Sequence, residues 1–368
     1  MVFTEDWFVC SHFLERAIAA HDAGYDVTVL ANDNGKSAPI VAAGLDFIAI
    51  PLHRRGLNPL SEIKTIRAIR AVYRRLRPTL AHQVGLKPVL YGSIAARLSG
   101  MRRLINAPIG MGFVFTSDSL KSRLLRPLVR LALRLLLNPR GSKVIFENRD
   151  DLSALVADRV VRRGDAALIR GSGVNVADFP PATDPGGAPV VMLVARMLWD
   201  KGVGEFVEAA RIVRAERSGA RFLLVGDTDP MNPAAIGEAQ LQQWREEGIV
   251  EWLGHREDIP ALLSRSQIAC LPSYREGLPR SLLEAMAAGL PIVTTDVPGC
   301  REAVADGVNG LIVPARDGAA LAAALRKLID DPELRRRYGV AGRERVAKEF
   351  ASPIIIAETL AVYADLAR

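Results

Sequence analysis

Val190-Val-Met-Leu-Val-Ala-Arg196-Met-Leu-Trp-Asp-Lys201-Gly202-Val-Gly-Glu205 runs from an apolar, β-branched stretch through a charged turn into a helical pattern over 205–217. An apolar run closed by charged residues reads as a strand buried on both faces, followed by a crossover helix. The same alternation repeats on either side. Strand candidates lie at 221–225, 249–253, 268–271, 292–295 and 311–313, with a helical pattern at 282–288, and in the first half at 27–30, 47–50, 80–84, 104–106 and 144–146. Such alternation predicts an α/β protein with parallel sheets covered on both sides. Residues 175–189 hold four prolines and two adjacent glycines and read as a linker. The expected architecture is two doubly wound, Rossmann-like domains facing a cleft, 1–173 and 174–352, with a C-terminal helix at about 353–368 packing back on the first. Only Met1-Val2-Phe3 precedes Thr4-Glu5-Asp6, which reads as a polar turn. That is short for an opening central strand and points to a start that is truncated or assigned late.

Composition excludes several classes. Apolar residues make 49% of the 368 and charged residues 24%, ordinary for a globular chain. Three distant cysteines (Cys10, Cys270, Cys300) exclude a disulfide framework or a CxxC zinc site, and five histidines without HExxH argue against a zinc hydrolase. The chain opens without a basic, then apolar, leader, and no stretch is long and apolar enough to span a bilayer. These features predict a cytoplasmic protein. The net charge of +7 hides an asymmetry: 26 basic and 14 acidic residues in 1–173, a balance of +12, against 22 and 27, or −5, in 174–368. A polyanionic partner is therefore expected for the first half only.

In open α/β sheets ligands bind beyond the carboxyl ends of the strands. In the second half those points are Arg196, Gly226-Asp227, Gly254-His255, Ser273-Tyr274 and Asp296. The fourth opens onto Glu276-Gly-Leu-Pro-Arg-Ser-Leu-Leu-Glu284. Gly277 permits close backbone approach, Pro279 suits the first helical position, and a helix N-terminus there attracts phosphate. Carboxylates on either side suit hydroxyl-rich groups flanking a diphosphate, with Arg196 and Lys201 supplying cations. A nucleotide sugar has that shape. Asp227-Thr-Asp229 is a formal DxD, read as turn chemistry beside Pro230, not as a metal site.

The Glu276–Glu284 segment resembles the E-x7-E motif of glycosyltransferase family 4, retaining enzymes of the GT-B fold. Arg196…Lys201, Leu-Val-Gly226, Trp252-Leu-Gly254-His255 and Val297-Pro-Gly299-Cys-Arg-Glu302 match in order. Thr4-Glu-Asp-Trp7-Phe-Val-Cys-Ser-His12, His82-Gln-Val-Gly-Leu-Lys87-Pro88 and Gly171-Ser-Gly-Val-Asn175 resemble the bacterial branch that builds lipid-linked surface polysaccharides. The resemblance implies that Glu276 binds donor-sugar hydroxyls and Glu284 the ribose, while Arg196 and Lys201 hold the diphosphate. Gly277, Leu278, Pro279, Ser281, Gly254, His255 and Asn175 would complete the donor site. Catalytic His82 and acceptor-side Thr4, Glu5, Asp6, Trp7, His12 and Lys87 would come from the first domain. Two departures stand out: Thr4-Glu5-Asp6 replaces the glycine pair after the first strand, and Val84 replaces the second histidine of a His-x-His stretch.

Two segments hold much of the first half's charge, 63–77 and 120–140. In the second, Arg126, Arg130 and Arg134 form a stripe beside a leucine-rich face, which suits either an anionic membrane interface or an ordinary core face. Aromatic residues at 6% and no reading module argue against nucleic acid. The expected partners are thus a UDP-sugar donor, a lipid-linked glycan acceptor and the anionic inner face of the plasma membrane, with no cofactor or metal. The alternatives are a nucleotide-sugar epimerase of the same fold, a dinucleotide oxidoreductase, disfavoured by the lack of GxGxxG after any strand, and a non-catalytic two-lobed binding protein.

Overall fold

The computed structural model describes residues 1–53, 58–109, 120–182, 187–216 and 219–367, with the side chains of 120–126 excepted. It divides into two compact units, Met1–Ser172 with Pro353–Arg368, and Gly173–Ser352.

The first unit is built on a parallel sheet of β1 (Val2–Glu5), β2 (Thr28–Asn32), β3 (Asp46–Ala49), β4 (Ala81–Val84), β5 (Leu104–Ala107), β6 (Ser142–Phe146) and β7 (Ala166–Leu168), in the order β3-β2-β1-β4-β5-β6-β7. The short β1 is central, and Thr4 and Glu5 belong to it while Asp6 starts the helix Asp6–His12. The polar turn expected there is therefore strand and helix start. Period-two alternation divides the sheet between two cores: Phe3, Val29, Ala31 and Ile105 on one face, Val2, Leu30, Ala81 and Leu104 on the other. The helix Ser352–Ala367 covers the first of these faces through Ile355 and Tyr363.

The second unit carries β8 (Val190–Val194), β9 (Arg221–Val225), β10 (Glu251–Trp252), β11 (Ile268–Leu271), β12 (Ile292–Thr295) and β13 (Gly310–Val313), all parallel, in the order β10-β9-β8-β11-β12-β13. Val191, Leu193, Phe222 and Leu224 pack under the helices Val203–Ala215 and Gly318–Asp330, and Met192, Leu223, Ala269 and Leu271 under Arg280–Ala287. Part of the proline-rich 175–189 stretch is not a free tether. Val174 bridges to Ala351 and Phe179 is buried in this unit's core. Residues 183–186 of that stretch lie outside the described residues.

Candidate active site

Because the second sheet is parallel, the carboxyl ends of β10, β9, β8, β11 and β12 share one edge, which brings His255, Asp227, Arg196, Ser273 and Asp296 into a row. The centre of that row is the best defined. Gly202 (φ 70) ends the single turn Trp199–Lys201. Lys201 Nζ lies 2.5 Å from Glu276 Oε1, and Ser273 Oγ donates to the same oxygen at 2.6 Å. Ser273 is fully buried, and its carbonyl accepts the Thr295 hydroxyl. The Glu276 backbone N–H donates to Pro298, and Gly299 (φ 81) lies so close to the carbonyls of Glu276 and Gly277 that a Cβ would not fit. Elements after β8, β11 and β12 thus fix one carboxylate. Its second oxygen, Oε2, accepts no hydrogen bond among the described residues and is available to a ligand hydroxyl.

The Glu276–Glu284 spacing spans a loop and the helix Arg280–Ala287. Pro279 is its N-cap (φ −73, ψ 112), one residue earlier than expected, and Leu278 is buried. Ser281 lies in the first turn, among N–H groups that lack intrahelical partners and sit at the positive end of the helix dipole. Glu284 is paired with Arg280 at 2.8 Å. Burial pushes its carboxyl above the ordinary range, opposed by Arg280.

Arg196 is held at 2.7 Å by Asp229, and Asp227 Oδ1 accepts the His255 backbone N–H at 3.1 Å. Both carboxylates of the DxD sequence therefore have protein partners. Among the described residues no cluster of three His, Cys, Asp or Glu side chains is placed to hold a metal. Asn175 does not join this constellation. Its side chain caps the turn Val176–Asp178 and is bonded to Asp178.

Several neighbours, Asp200, Glu205 and Arg316, carry no sequence signal, and Tyr274 carries only its place just after β11. Asp200 lies beside Lys201, with its Oδ1 buried and without a partner among the described residues. Burial raises its pKa, with Lys201 and Arg196 opposing and Glu276 reinforcing the rise. Tyr274 donates its hydroxyl to Glu205 at 2.6 Å and its backbone N–H to the Asp200 carbonyl, while Arg316 stacks on its ring at 4.6 Å. Only the strand order, which sets the ends of β8 and β11 side by side, brings these residues together.

The first unit corrects one expectation, for His82, and shows Asp6 and Lys87 held by protein partners. His82 is not at the sheet edge: alternation along β4 turns it under the C-terminal helix, 1% exposed, with Nδ1 2.7 Å from the Tyr363 hydroxyl and its ring against Phe13. Its Nε2 has no partner among the described residues. Burial, then the nearby Arg16 and the N-terminal amine, hold its pKa well below the ordinary histidine value. It is a core residue. Asp6 is likewise occupied. Its carboxylate accepts the backbone N–H groups of Trp7, Asn34 and Lys36, which outweigh the cost of burial and keep it ionised below the ordinary range. Lys87 is bonded to Glu62 and to the His53 carbonyl, each at 2.9 Å.

Other acceptor-side residues do lie at or near the edge. Glu5 accepts Asn34 Nδ2 at 2.7 Å through Oε2, Thr4 is partly exposed in β1, Trp7 is 39% exposed, and His12 stacks on Phe8. Arg130 and Arg134 are exposed on the helix Leu120–Leu136, and the Arg126 side chain lies outside the described residues.

A histidine that stays neutral in the fold gives a testable sign. Below about pH 6.5 the unfolded chain takes up a proton that the folded chain refuses, so stability is full above that range and falls as pH drops through it. His82→Asn, which keeps a polar group beside Tyr363, should weaken this acid dependence, lower Tm by a few degrees and leave kcat within about threefold. A kcat loss above a hundredfold at unchanged Tm would restore His82 to the reaction.

The two units match two models of known families: residues 1–148 match "Glycosyl transferase 4-like" and 188–331 match "Glycosyl transferases group 1". The chain belongs to the family-4-like glycosyltransferases of the GT-B fold. It is 28% identical over 330 residues, 86% of this chain and 85% of the relative, to the N,N'-diacetylbacillosaminyl-diphospho-undecaprenol alpha-1,3-N-acetylgalactosaminyltransferase of Campylobacter jejuni. It is 24% identical over 84% of its length, and 81% of the relative's, to the UDP-Gal:alpha-D-GlcNAc-diphosphoundecaprenol alpha-1,3-galactosyltransferase of Escherichia coli. In fold it resembles a sucrose-phosphate synthase of Thermosynechococcus elongatus (TM-score 0.79, 24% identity, 96% and 92% covered). It also resembles HepE of Anabaena, solved with UDP and glucose (TM-score 0.76, 18% identity, 98% of each chain).

Proposed function

We propose that this glycosyltransferase moves a hexose or N-acetylhexosamine from a UDP-sugar to a polyprenyl-diphosphate-linked glycan, with retention, in bacterial surface-polysaccharide assembly. The similarity over 86% of the chain to a transferase named for a diphospho-undecaprenol-linked acceptor carries this reading. The Lys201–Glu276–Ser273 constellation supplies its chemistry. Glu276 Oε2 would accept donor-sugar hydroxyls. Lys201, Arg196 and the N-terminus of Arg280–Ala287 would stabilise the departing diphosphate. No residue of the second unit's edge is placed as a separate nucleophile in this scheme. The acceptor oxygen would attack the face the nucleotide leaves, through an oxocarbenium-like state, while the leaving phosphate oxygen takes its proton. The C1–O bond to UDP breaks as the bond from C1 to the acceptor forms. Incubation with a panel of UDP-sugars and a polyprenyl-diphosphate disaccharide should yield one α-linked product. A β-linked product, or none from any UDP-sugar, overturns the assignment.

With the diphosphate charge met by side chains and a helix N-terminus, and Asp227 and Asp229 already engaged, no divalent metal is needed. Transfer in excess EDTA should stay within about twofold of the untreated rate; a tenfold loss restored by Mn²⁺ or Mg²⁺ would refute this. The acceptor is a membrane lipid in this reading. No helix among the described residues is long and apolar enough to cross a bilayer, so the basic first unit would meet the lipid peripherally.

A further inference from the structure

Asp227-Thr-Asp229 leaves β9 beside the turn that carries Arg196. Gly226 lies so close to the Ala195 carbonyl that a Cβ would not fit, so the chain after β9 runs directly alongside the chain after β8. The two segments then pair. The Met197 N–H donates to the Asp227 carbonyl at 2.9 Å, the Trp199 N–H to that of Ala234 at 2.8 Å and the Ile236 N–H to that of Met197 at 3.0 Å. An antiparallel bridge joins Leu198 to Ala235. Within the loop, the Asp229 carbonyl accepts the Asn232 N–H at 2.6 Å, and Asn232 Oδ1 accepts the Ala234 N–H at 3.1 Å. Met197 and Ile236 are fully buried beneath it. Asp229 is therefore a carboxylate on a loop fixed along its length to the segment that bears Arg196.

That carboxylate holds the arginine from one side. Asp229 Oδ2 accepts Arg196 Nη1 at 2.7 Å, and neither Nε nor Nη2 of Arg196 donates a hydrogen bond among the described residues. The Asp229 side chain is 17% exposed and that of Arg196 40%. A guanidinium carries its N–H groups in one rigid plane, so an anion fixed on one nitrogen sets the direction of the others. An arginine held by nothing would lose its rotamer freedom only when an anion arrived, and that ordering weakens binding. Here the arginine is ordered beforehand, with N–H groups left for a second anion. Asp227 does not share this role, since its carboxylate accepts the His255 backbone N–H.

We propose that Asp229 is a positioning residue for the donor diphosphate: through its contact with Nη1 it aims the Arg196 N–H groups that the nucleotide uses. This rests on the reading of the second unit's edge as a UDP-sugar site, and adds to it a residue that touches no substrate. Equilibrium binding of UDP and of uridine, which lacks the diphosphate, tests it. Asp229→Ala should weaken UDP binding about five- to tenfold, the effect of leaving one long side chain unordered, and leave uridine within about twofold of wild type. Arg196→Ala should weaken UDP binding further. The double variant should match Arg196→Ala within about twofold, because Asp229 acts only through Arg196. Should Asp229→Ala not fold, Asp229→Asn, matched in size but uncharged, gives the same comparison with a loss of about threefold for UDP and none for uridine. Additive losses in the double variant, or an equal loss for uridine, reduce Asp229 to a structural residue and overturn the inference. Unchanged or tighter UDP binding by Asp229→Ala also overturns it, the latter showing that Asp229 competes with the diphosphate for Arg196. A wild type that binds no UDP overturns the donor reading, and this inference with it.

Discussion

Lys201→Ala should lower kcat for transfer on the order of a thousandfold while the protein remains folded. Its ammonium is one of the few cations fixed at the carboxyl edge of the second sheet, held by Glu276 at 2.5 Å. Preorganised charges at a developing anion lower the barrier without reorganising, and removing one such group typically costs 10²–10³ in rate. Most of the loss should fall on kcat and less on donor KM, because charge on the departing diphosphate grows toward the transition state. Stability should change less. The two side chains are 20% and 11% exposed, so the pair is neither a surface bridge nor fully desolvated, and Ser273 continues to donate to Glu276. A cost of about 1–3 kcal/mol lies between those limits. A folded Lys201→Ala variant that transfers within threefold of wild type would remove Lys201 from the reaction.

Gly202→Ala should be as damaging by a different route. Gly202 has φ 70, and a Cβ there would overlap the carbonyl of Pro272, the residue after β11. The overlap is with backbone, so the loops after β8 and β11 must separate. The charge of Lys201 is retained, but its position relative to Glu276 is lost. Strain of this kind costs several kcal/mol, and a displacement of about 1 Å at a reacting centre can cost a hundredfold in rate. Both Tm and kcat should fall, where Lys201→Ala lowers chiefly kcat. Measuring the two variants side by side separates charge from placement. A Gly202→Ala protein with wild-type Tm and rate would contradict the close approach of these loops.

Much of the second unit could be read directly. Its strands are continuous apolar runs because both faces are buried, and its chemistry sits within a few residues of each strand end, as at Arg196, Gly226, Gly254 and Ser273. The first unit was harder. β1 is four residues long and includes Thr4 and Glu5, whose polarity reads as a turn although the strand is central. His82 showed the opposite difficulty. A polar residue within a short strand has the same one-dimensional pattern at a site or in a core, and only its face and its partner Tyr363, far along the chain, distinguish the two.

By itself the sequence determined the alternation of strand and helix, the parallel sheets, and the Glu276–Glu284 segment with its cations, because burial periodicity and turn chemistry are local properties. The tertiary structure decided which polar groups remain available. Asp6, Lys87, Asp227 and Asp229 are tied to partners up to 34 positions away, and His82 is enclosed beneath the C-terminal helix. It also set Lys201 and Ser273 on a single oxygen of Glu276, which leaves the other for a ligand. Such choices depend on which strands become neighbours, and pairing between strands distant along the chain is a property of the folded sheet as a whole.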